Sequence, residues 1–184
     1  KNQTNKNFNV YIGNDGSLEN FEEIINKYTD SLHITYQYFE NNLGKDALVA
    51  HWERCIDIVN VEEWIWLFSD DDVMDKFCVE MFYQTLNDYP KSDLFHFNVQ
   101  KINEQNQFVG ISTNFPRNLI IEDFITERIR NGLDSFVVEY IFRKSSFFEL
   151  NRFCKFDLAW ASDDALWIKL GNKNGIITIA GAKV

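Results

Sequence analysis

Two prolines, Pro90 and Pro116, in 184 residues leave no stretch that reads as an interdomain linker, and there is neither a low-complexity segment nor an internal repeat. One domain is expected, long enough to bury a core and too short to divide into two ordinary ones. No apolar run approaches the ~20 residues that a membrane-crossing helix requires, and no basic stretch followed by an apolar one suggests a secretory signal. The three cysteines, Cys55, Cys78 and Cys154, lack the spacing of a zinc site or a disulfide framework, so free thiols in a reducing, cytoplasmic compartment are expected. Basic residues are scarce: 18 Lys and Arg against 28 Asp and Glu give a formal net charge of −10. Nucleic-acid binding draws most of its affinity from clustered Lys and Arg, so it is excluded as the expected role. None of the eight glycines builds a phosphate loop of the P-loop or dinucleotide type. His33, His51 and His96 show no metal-ligand spacing.

What is present is an alternation of strand-like and helix-like segments. Phe8 to Ile12 is β-rich and stops at the turn formers Gly13-Asn14-Asp15-Gly16. Asn20 with Glu23 gives a helix start, and Phe21, Ile24, Ile25 and Tyr28 recur on one helical face. Ile34, Tyr36 and Tyr38 alternate as in a strand that closes at Asn41-Asn42-Leu43-Gly44. Leu48, Trp52, Cys55, Ile56 and Val59 then form a helical stripe. Trp64 to Phe68 is a continuous apolar run of strand length, which predicts a central parallel strand covered on both faces. A helix carrying Phe77, Met81, Phe82 and Leu86 ends at Tyr89-Pro90. Beyond it, Asp93 to Ile102 and Phe108 to Ser112 read as a hairpin, Ile121 to Arg130 as a helix, Phe136 to Phe142 as a strand, and Ser162 to Leu170 as a last helix closed by Gly171. The predicted class is α/β: a Rossmann-like mixed β-sheet flanked by helices.

Three groups of residues have chemical potential. Ser69-Asp70-Asp71-Asp72 directly follows the apolar strand, where ligands bind in open α/β sheets. Adjacent carboxylates repel, and a bound Mg²⁺ or Mn²⁺ would neutralise them and carry a phosphorylated ligand; a solvated acidic loop that opens the next helix is the plainer reading. Trp160-Ala161-Ser162-Asp163-Asp164 heads the last helix, with Ser162 expected as its N-cap. That is ordinary helix chemistry, yet a carboxylate held there is also a positioned general base, beside an indole that can support a sugar ring. Asn14-Asp15-Gly16-Ser17 is by itself a turn.

Taken in order, these pieces resemble glycosyltransferase family 2 over nearly the whole chain. Gln3-Thr4, a strand and Asn14-Asp15-Gly16-Ser17 resemble the family's Gln-Thr element and Asp-Asp-Gly-Ser loop. Asn42-Leu43-Gly44 resembles its Asn-x-Gly turn, and Leu67 to Asp72 its Asp-x-Asp-Asp element. Phe153 to Gly171 resembles the segment with the Glu-Asp catalytic pair. The resemblance implies a glycosyltransferase A-type fold, a UDP-sugar or related nucleotide-sugar donor, a divalent metal, a saccharide or lipid-linked saccharide acceptor, and transfer with inversion. It implies Asp164 as catalytic base with Asp163 beside it, and Trp160 at the acceptor. Asp15 would hydrogen-bond the nucleotide base, with Asn14 also in the nucleotide-sugar site; Asp70 and Asp71 would serve the ribose and metal, and Asp72 would join Asp71 at the metal. Asn14, Ser69 and Asp163 depart from the family's Asp, Asp and Glu. An opening strand and helix would precede Gln3, so the sequence is expected to be cut at both ends, with any attachment to the membrane periphery lying in parts outside it. Without the Gln-x-x-Arg-Trp signature of processive synthases, single sugar addition in surface polysaccharide synthesis is the expectation. The rival reading is a non-catalytic nucleotide-sugar or metal-binding module of the same fold.

Overall fold

Val10–Asn14 forms β1 and Ile34–Tyr38 forms β2, and the two run parallel, Val10 opposite Ile34 through Asn14 opposite Tyr38. The connection carries the short helix α1, Glu22–Asn26, so the predicted first strand-helix-strand unit is present. Helix α2, Leu48–Asp57, lies across β1 at Gly13, where a Cβ would meet the Cys55 sulfur at 2.3 Å, so only glycine allows this approach. The computed structural model describes residues 1–112 and 114–184.

The larger sheet has five strands in the order Trp64–Trp66 (β3), Tyr140–Arg143 (β8), Leu94–Phe97 (β4), Ile176–Ile179 (β9) and Asn118–Leu119 (β7). β8 is antiparallel to both β3 and β4, β9 is parallel to β4, and β7 is antiparallel to β9, so the sheet is mixed as expected. Helix α3, Cys78–Asp88, covers one face; α4, Ile121–Arg130, α5, Lys144–Glu149, and α6, Ser162–Gly171, cover the other. Strand alternation sorts the side chains between them. Phe95, Phe97, Ile141, Ile177 and Ile179 join Phe82 of α3, whereas Leu94, Tyr140, Phe142 and Ile176 join Phe124, Phe147, Leu166 and Trp167. Each such side chain contributes roughly 1.5–3 kcal/mol on burial.

Four sequence expectations are corrected. β3 is an edge of its sheet and pairs antiparallel, not a central parallel strand. Its apolar run reports covered faces, with Ile65 in one core and Trp66 stacked on Phe97 in the other, and covered faces say nothing of hydrogen-bonded neighbours. The single strand expected over Asp93–Ile102 is two: β4 ends at Phe97, and Gln100–Ile102 (β5) leaves the sheet to pair with Phe108–Ile111 (β6). Asn98 makes the break, its Oδ1 accepting from the Phe115 N–H at 2.9 Å. The strand expected from Phe136 begins as a 3-10 turn, Val137–Glu139, before β8. Finally, α5, β7 and β9 were not anticipated.

Both ends of the chain are tied to the start of α3, immediately after the acidic run. Gln3 donates from Nε2 to the Asp75 carbonyl at 2.8 Å and accepts the Val79 N–H at 3.0 Å. The Asp75 N–H donates to the Lys183 carbonyl at 3.0 Å, and Gln100 N–H to the Val184 carbonyl at 2.8 Å. No helix among the described residues is long and apolar enough to cross a membrane.

Candidate active site

The loop after β1 is closely hydrogen-bonded. Asn14 is buried, donating to the Tyr36 hydroxyl at 2.8 Å and accepting from the Ser17 N–H at 2.8 Å. Asp15 reaches the Asn42-Leu43-Gly44 turn, where it accepts the N–H groups of Leu43 at 2.9 Å and Gly44 at 2.6 Å. Arg54 pairs with the same carboxylate and His51 Nδ1 stands 3.2 Å from it. Burial works to raise the Asp15 pKa, but the two backbone donors, His51 and Arg54 outweigh it and hold the carboxyl below its usual value. Burial also lowers the His51 pKa, against the attraction of Asp15. Arg54 lies over the Phe39 ring at 4.0 Å and donates to the Asn41 carbonyl at 2.9 Å. A Cβ on Gly44 would stand 2.8 Å from Asp15 Oδ2, so the carboxylate requires glycine there. Arg54 and His51 were not singled out as site residues; their signal was the i, i+3 spacing on α2, aimed back at the loop.

Past β3, Asp70 and Asp71 are exposed and Asp72 is half-buried. Burial, followed by the charges of Asp71 and Asp70, pushes the Asp72 pKa up, against a hydrogen bond from Ser69. The repulsion expected of this run is therefore present, and an oxygen-loving divalent cation suits such a donor set. Among the described residues no three His, Cys, Asp or Glu side chains converge as a ready-made metal cage.

The head of α6 differs from expectation in one respect. Ser162 is not the N-cap: Ala161 occupies that position with φ 56°, and Ser162 is the first helical residue, fully buried, its Oγ 3.4 Å from the Phe156 N–H. Ala159 is also left-handed, with φ 61°, so two alanines in a conformation costing roughly 1–2 kcal/mol each bracket Trp160, whose side chain is 77% exposed. Asp164 turns inward to Arg128 of α4, whose Nε and Nη2 donate to its Oδ2 at 3.0 and 2.6 Å. Asp164 Oδ1 is buried and has no partner among the described residues. Burial and the neighbouring Asp164 charge raise the Asp163 pKa. Arg128 was missed, since nothing in a single sequence couples a residue in one helix to an acid 36 positions later.

Beneath this helix His96 of β4 and Glu139 form a fully buried pair at 2.9 Å. Burial drives Glu139 up to about 9 and His96 down to about 3, so the pair is held neutral. Phe115 stacks on His96 at 4.0 Å, and Tyr140 on Trp167 at 4.4 Å.

The site residues thus fall into three clusters, and no hydrogen bond or ion pair among the described residues joins one to another. Asn14-Asp15 and Ser69 to Asp72 both lie at the carboxyl ends of strands, and Asp163-Asp164 at the amino end of a helix. The family model described as "Glycosyl transferase family 2" matches residues 1–148. A crystal structure of S. aureus TarS 1-349 superposes with TM-score 0.75 at 15% identity, covering 99% of this chain and 52% of that one. A second, of the same TarS segment in complex with UDP, gives TM-score 0.72 at 16% identity over 100% and 53%. A crystal structure of S. aureus TarS gives 0.70 at 15% over 99% and 31%. The chain spans about half the length of the first two. No curated protein sequence matches it. The likeness confirms the fold as glycosyltransferase A-type.

Proposed function

This chain belongs to glycosyl transferase family 2, and on that footing we propose that it is a single catalytic domain that moves a sugar from a nucleotide-diphosphate donor, a UDP-sugar, to an acceptor hydroxyl with inversion. The observation that carries the proposal is the acidic turn after β3, where Asp70 and Asp71 press on the half-buried Asp72 in a way that a cation bearing a diphosphate would relieve. UDP bound to the structurally similar TarS supports the choice of nucleotide.

Among the described residues Asp15 Oδ2 is engaged by the Gly44 N–H alone, and in this reading that oxygen is the acceptor for a base N–H. Asn14 fixes the loop, and Asp70 and Asp71 face the ribose and diphosphate. Asp71 and Asp72 would hold Mg²⁺ or Mn²⁺, which supplies charge neutralisation for the departing diphosphate. Asp164 takes the proton of the acceptor hydroxyl as its oxygen bonds the anomeric carbon from the face opposite the nucleotide; the bond to the diphosphate breaks and UDP leaves with the electron pair. Asp163, its pKa raised, lies beside the base, and the exposed Trp160 offers its ring to a saccharide or lipid-linked saccharide acceptor. Surface polysaccharide synthesis on the cytoplasmic side is the setting that fits such an acceptor. UDP release from a panel of UDP-hexoses and UDP-N-acetylhexosamines with alkyl glycosides as acceptors, with the product anomer read by NMR, tests the reading. An inverted product supports it, and a retained configuration contradicts it.

The buried Oδ1 of Asp164, which has no partner among the described residues, favours one alternative, the non-catalytic module, in which Asp164 ties α6 to α4. In that case nucleotide binding persists, and no UDP-sugar is turned over.

A further inference from the structure

His51 and Arg54 lie one turn apart on α2, and both reach back to the loop after β1. The guanidinium of Arg54 has donors only. Its Nη2 serves Asp15 Oδ1 and the Asn41 carbonyl, its plane lies over the Phe39 ring, and its Nε donates to His51 Nδ1 at 3.1 Å. That last bond requires a lone pair on Nδ1. The ring proton of neutral His51 is therefore on Nε2, whose neighbour at 3.6 Å is the Cys55 sulfur, a weak acceptor on a thiol that burial pushes up to about 11 and so keeps neutral.

Nδ1 is also 3.2 Å from Asp15 Oδ1, so one nitrogen stands between two rival partners. With a proton on Nδ1 it would donate to Asp15 and meet Arg54 Nε donor to donor. Asp15 Oδ1 already accepts from the Leu43 N–H and from Arg54, whereas Arg54 Nε has no acceptor but His51 among the described residues. Burial, together with the Arg54 charge, outweighs the pull of Asp15 and lowers the His51 pKa, so the ring is neutral at neutral pH and protonates below the ordinary histidine value of about 6.5. The state with a free Nδ1 lone pair is thus the one that the surroundings favour.

We propose that His51 is a positioning residue for the nucleotide base: its unprotonated Nδ1 holds the Arg54 fork against Asp15, and a proton on Nδ1 reverses the arrangement, His51 taking Asp15 Oδ1 and releasing Arg54. Since Arg54 also holds the Asn41 carbonyl, its release loosens the Asn42-Leu43-Gly44 turn whose amides shape the Asp15 carboxylate. The inference rests on Asp15 recognising the base. His51 itself does not touch the nucleotide in this scheme, so it acts on affinity through Arg54 and Asp15.

The test is calorimetry of UDP with Mn²⁺ from about pH 5 to about pH 8 on wild type, His51→Phe, His51→Asn and Asp15→Ala, beside ring-nitrogen NMR of His51 in the free chain. The nucleotide phosphates and the acidic run titrate alike in all of them, so differences between variants isolate His51. At neutral pH the ring is expected as the Nε2–H tautomer. Between about pH 6.5 and about pH 5 the wild-type affinity is expected to fall about 5-fold further than that of His51→Asn, which cannot be protonated. His51→Phe keeps a ring against Phe39 but removes the acceptor, and binds UDP about 5-fold more weakly at every pH; His51→Asn, with an amide oxygen near the place of Nδ1, recovers most of that loss. An Nδ1–H tautomer at neutral pH, wild-type affinity in His51→Phe, or parallel pH profiles in wild type and His51→Asn, each with UDP binding lost in Asp15→Ala, overturns this inference alone. UDP affinity unmoved by Asp15→Ala, or no UDP binding at all, overturns the reading of the base site and this inference together.

Discussion

Asp15 and Asp164 each lie against an arginine, yet their surroundings differ in kind. Asp15 has donors on both oxygens, from two backbone amides and Arg54, with His51 Nδ1 close by, and the glycine beside it is required by the close approach. Asp164 has one arginine on one oxygen, a buried oxygen without a partner among the described residues, a like-charged neighbour and a strained approach through Ala159 and Ala161. Satisfied groups are inexpensive to keep buried and hold a fixed shape, which suits recognition of a rigid base. Unsatisfied groups and backbone strain cost stability and persist where the surrounding fold enforces them, which marks the head of α6 as a place where stability is given up.

Substitutions separate the two regions. The largest effect is expected at Asp164: Asp164→Asn lowers turnover by at least about 10³-fold while UDP affinity holds, measured by steady-state UDP release beside calorimetry. Asp15→Ala acts on the other side of the comparison. It strands Arg54 and the Leu43 and Gly44 amides, so UDP affinity falls and unfolding by urea shows a loss of about 2 kcal/mol.

The buried pair beneath α6 gives a pH signature. Glu139 is raised to about 9 in the folded chain, so between the ordinary carboxyl pKa and that value the folded state binds the extra proton and stability declines as pH rises. His96, lowered to about 3, acts oppositely: the unfolded state binds the extra proton up to the ordinary histidine pKa of about 6.5, so stability rises with pH there. The two oppose each other below about 6.5, and above it the Glu139 contribution stands alone. Urea midpoints therefore fall from neutral pH toward 9 in wild type and stay flatter in Glu139→Gln. The smallest effect is at Ala161, where Ala161→Gly relieves the left-handed strain and raises stability by about 1 kcal/mol, visible as a rise in melting temperature.

Much of this was legible in the sequence, because period and punctuation act locally. A strand ends within the turn formers Gly13 to Gly16, two residues later than expected, the apolar stripe from Leu48 to Val59 made a helix, and the acidic groups were found at a strand's carboxyl end and a helix head. The losses came from tertiary contacts. Asn98 breaks a continuous β-rich run because its side chain takes the Phe115 amide, a partner 17 residues away. The four β-branched residues of Ile176–Ile179 were a strand signal in their own right and were passed over. Arg54 and Arg128 became site residues only through the acids that the fold brings to them from 39 and 36 positions away.

The central claim, that the acidic turn after β3 holds a cation-bound nucleotide diphosphate, is tested most directly by titrating UDP into this chain in a calorimeter with and without Mn²⁺, alongside Asp71→Ala. Binding is expected to require Mn²⁺ and to be lost in the variant. UDP binding of equal strength with or without the metal, unchanged by Asp71→Ala, would contradict it.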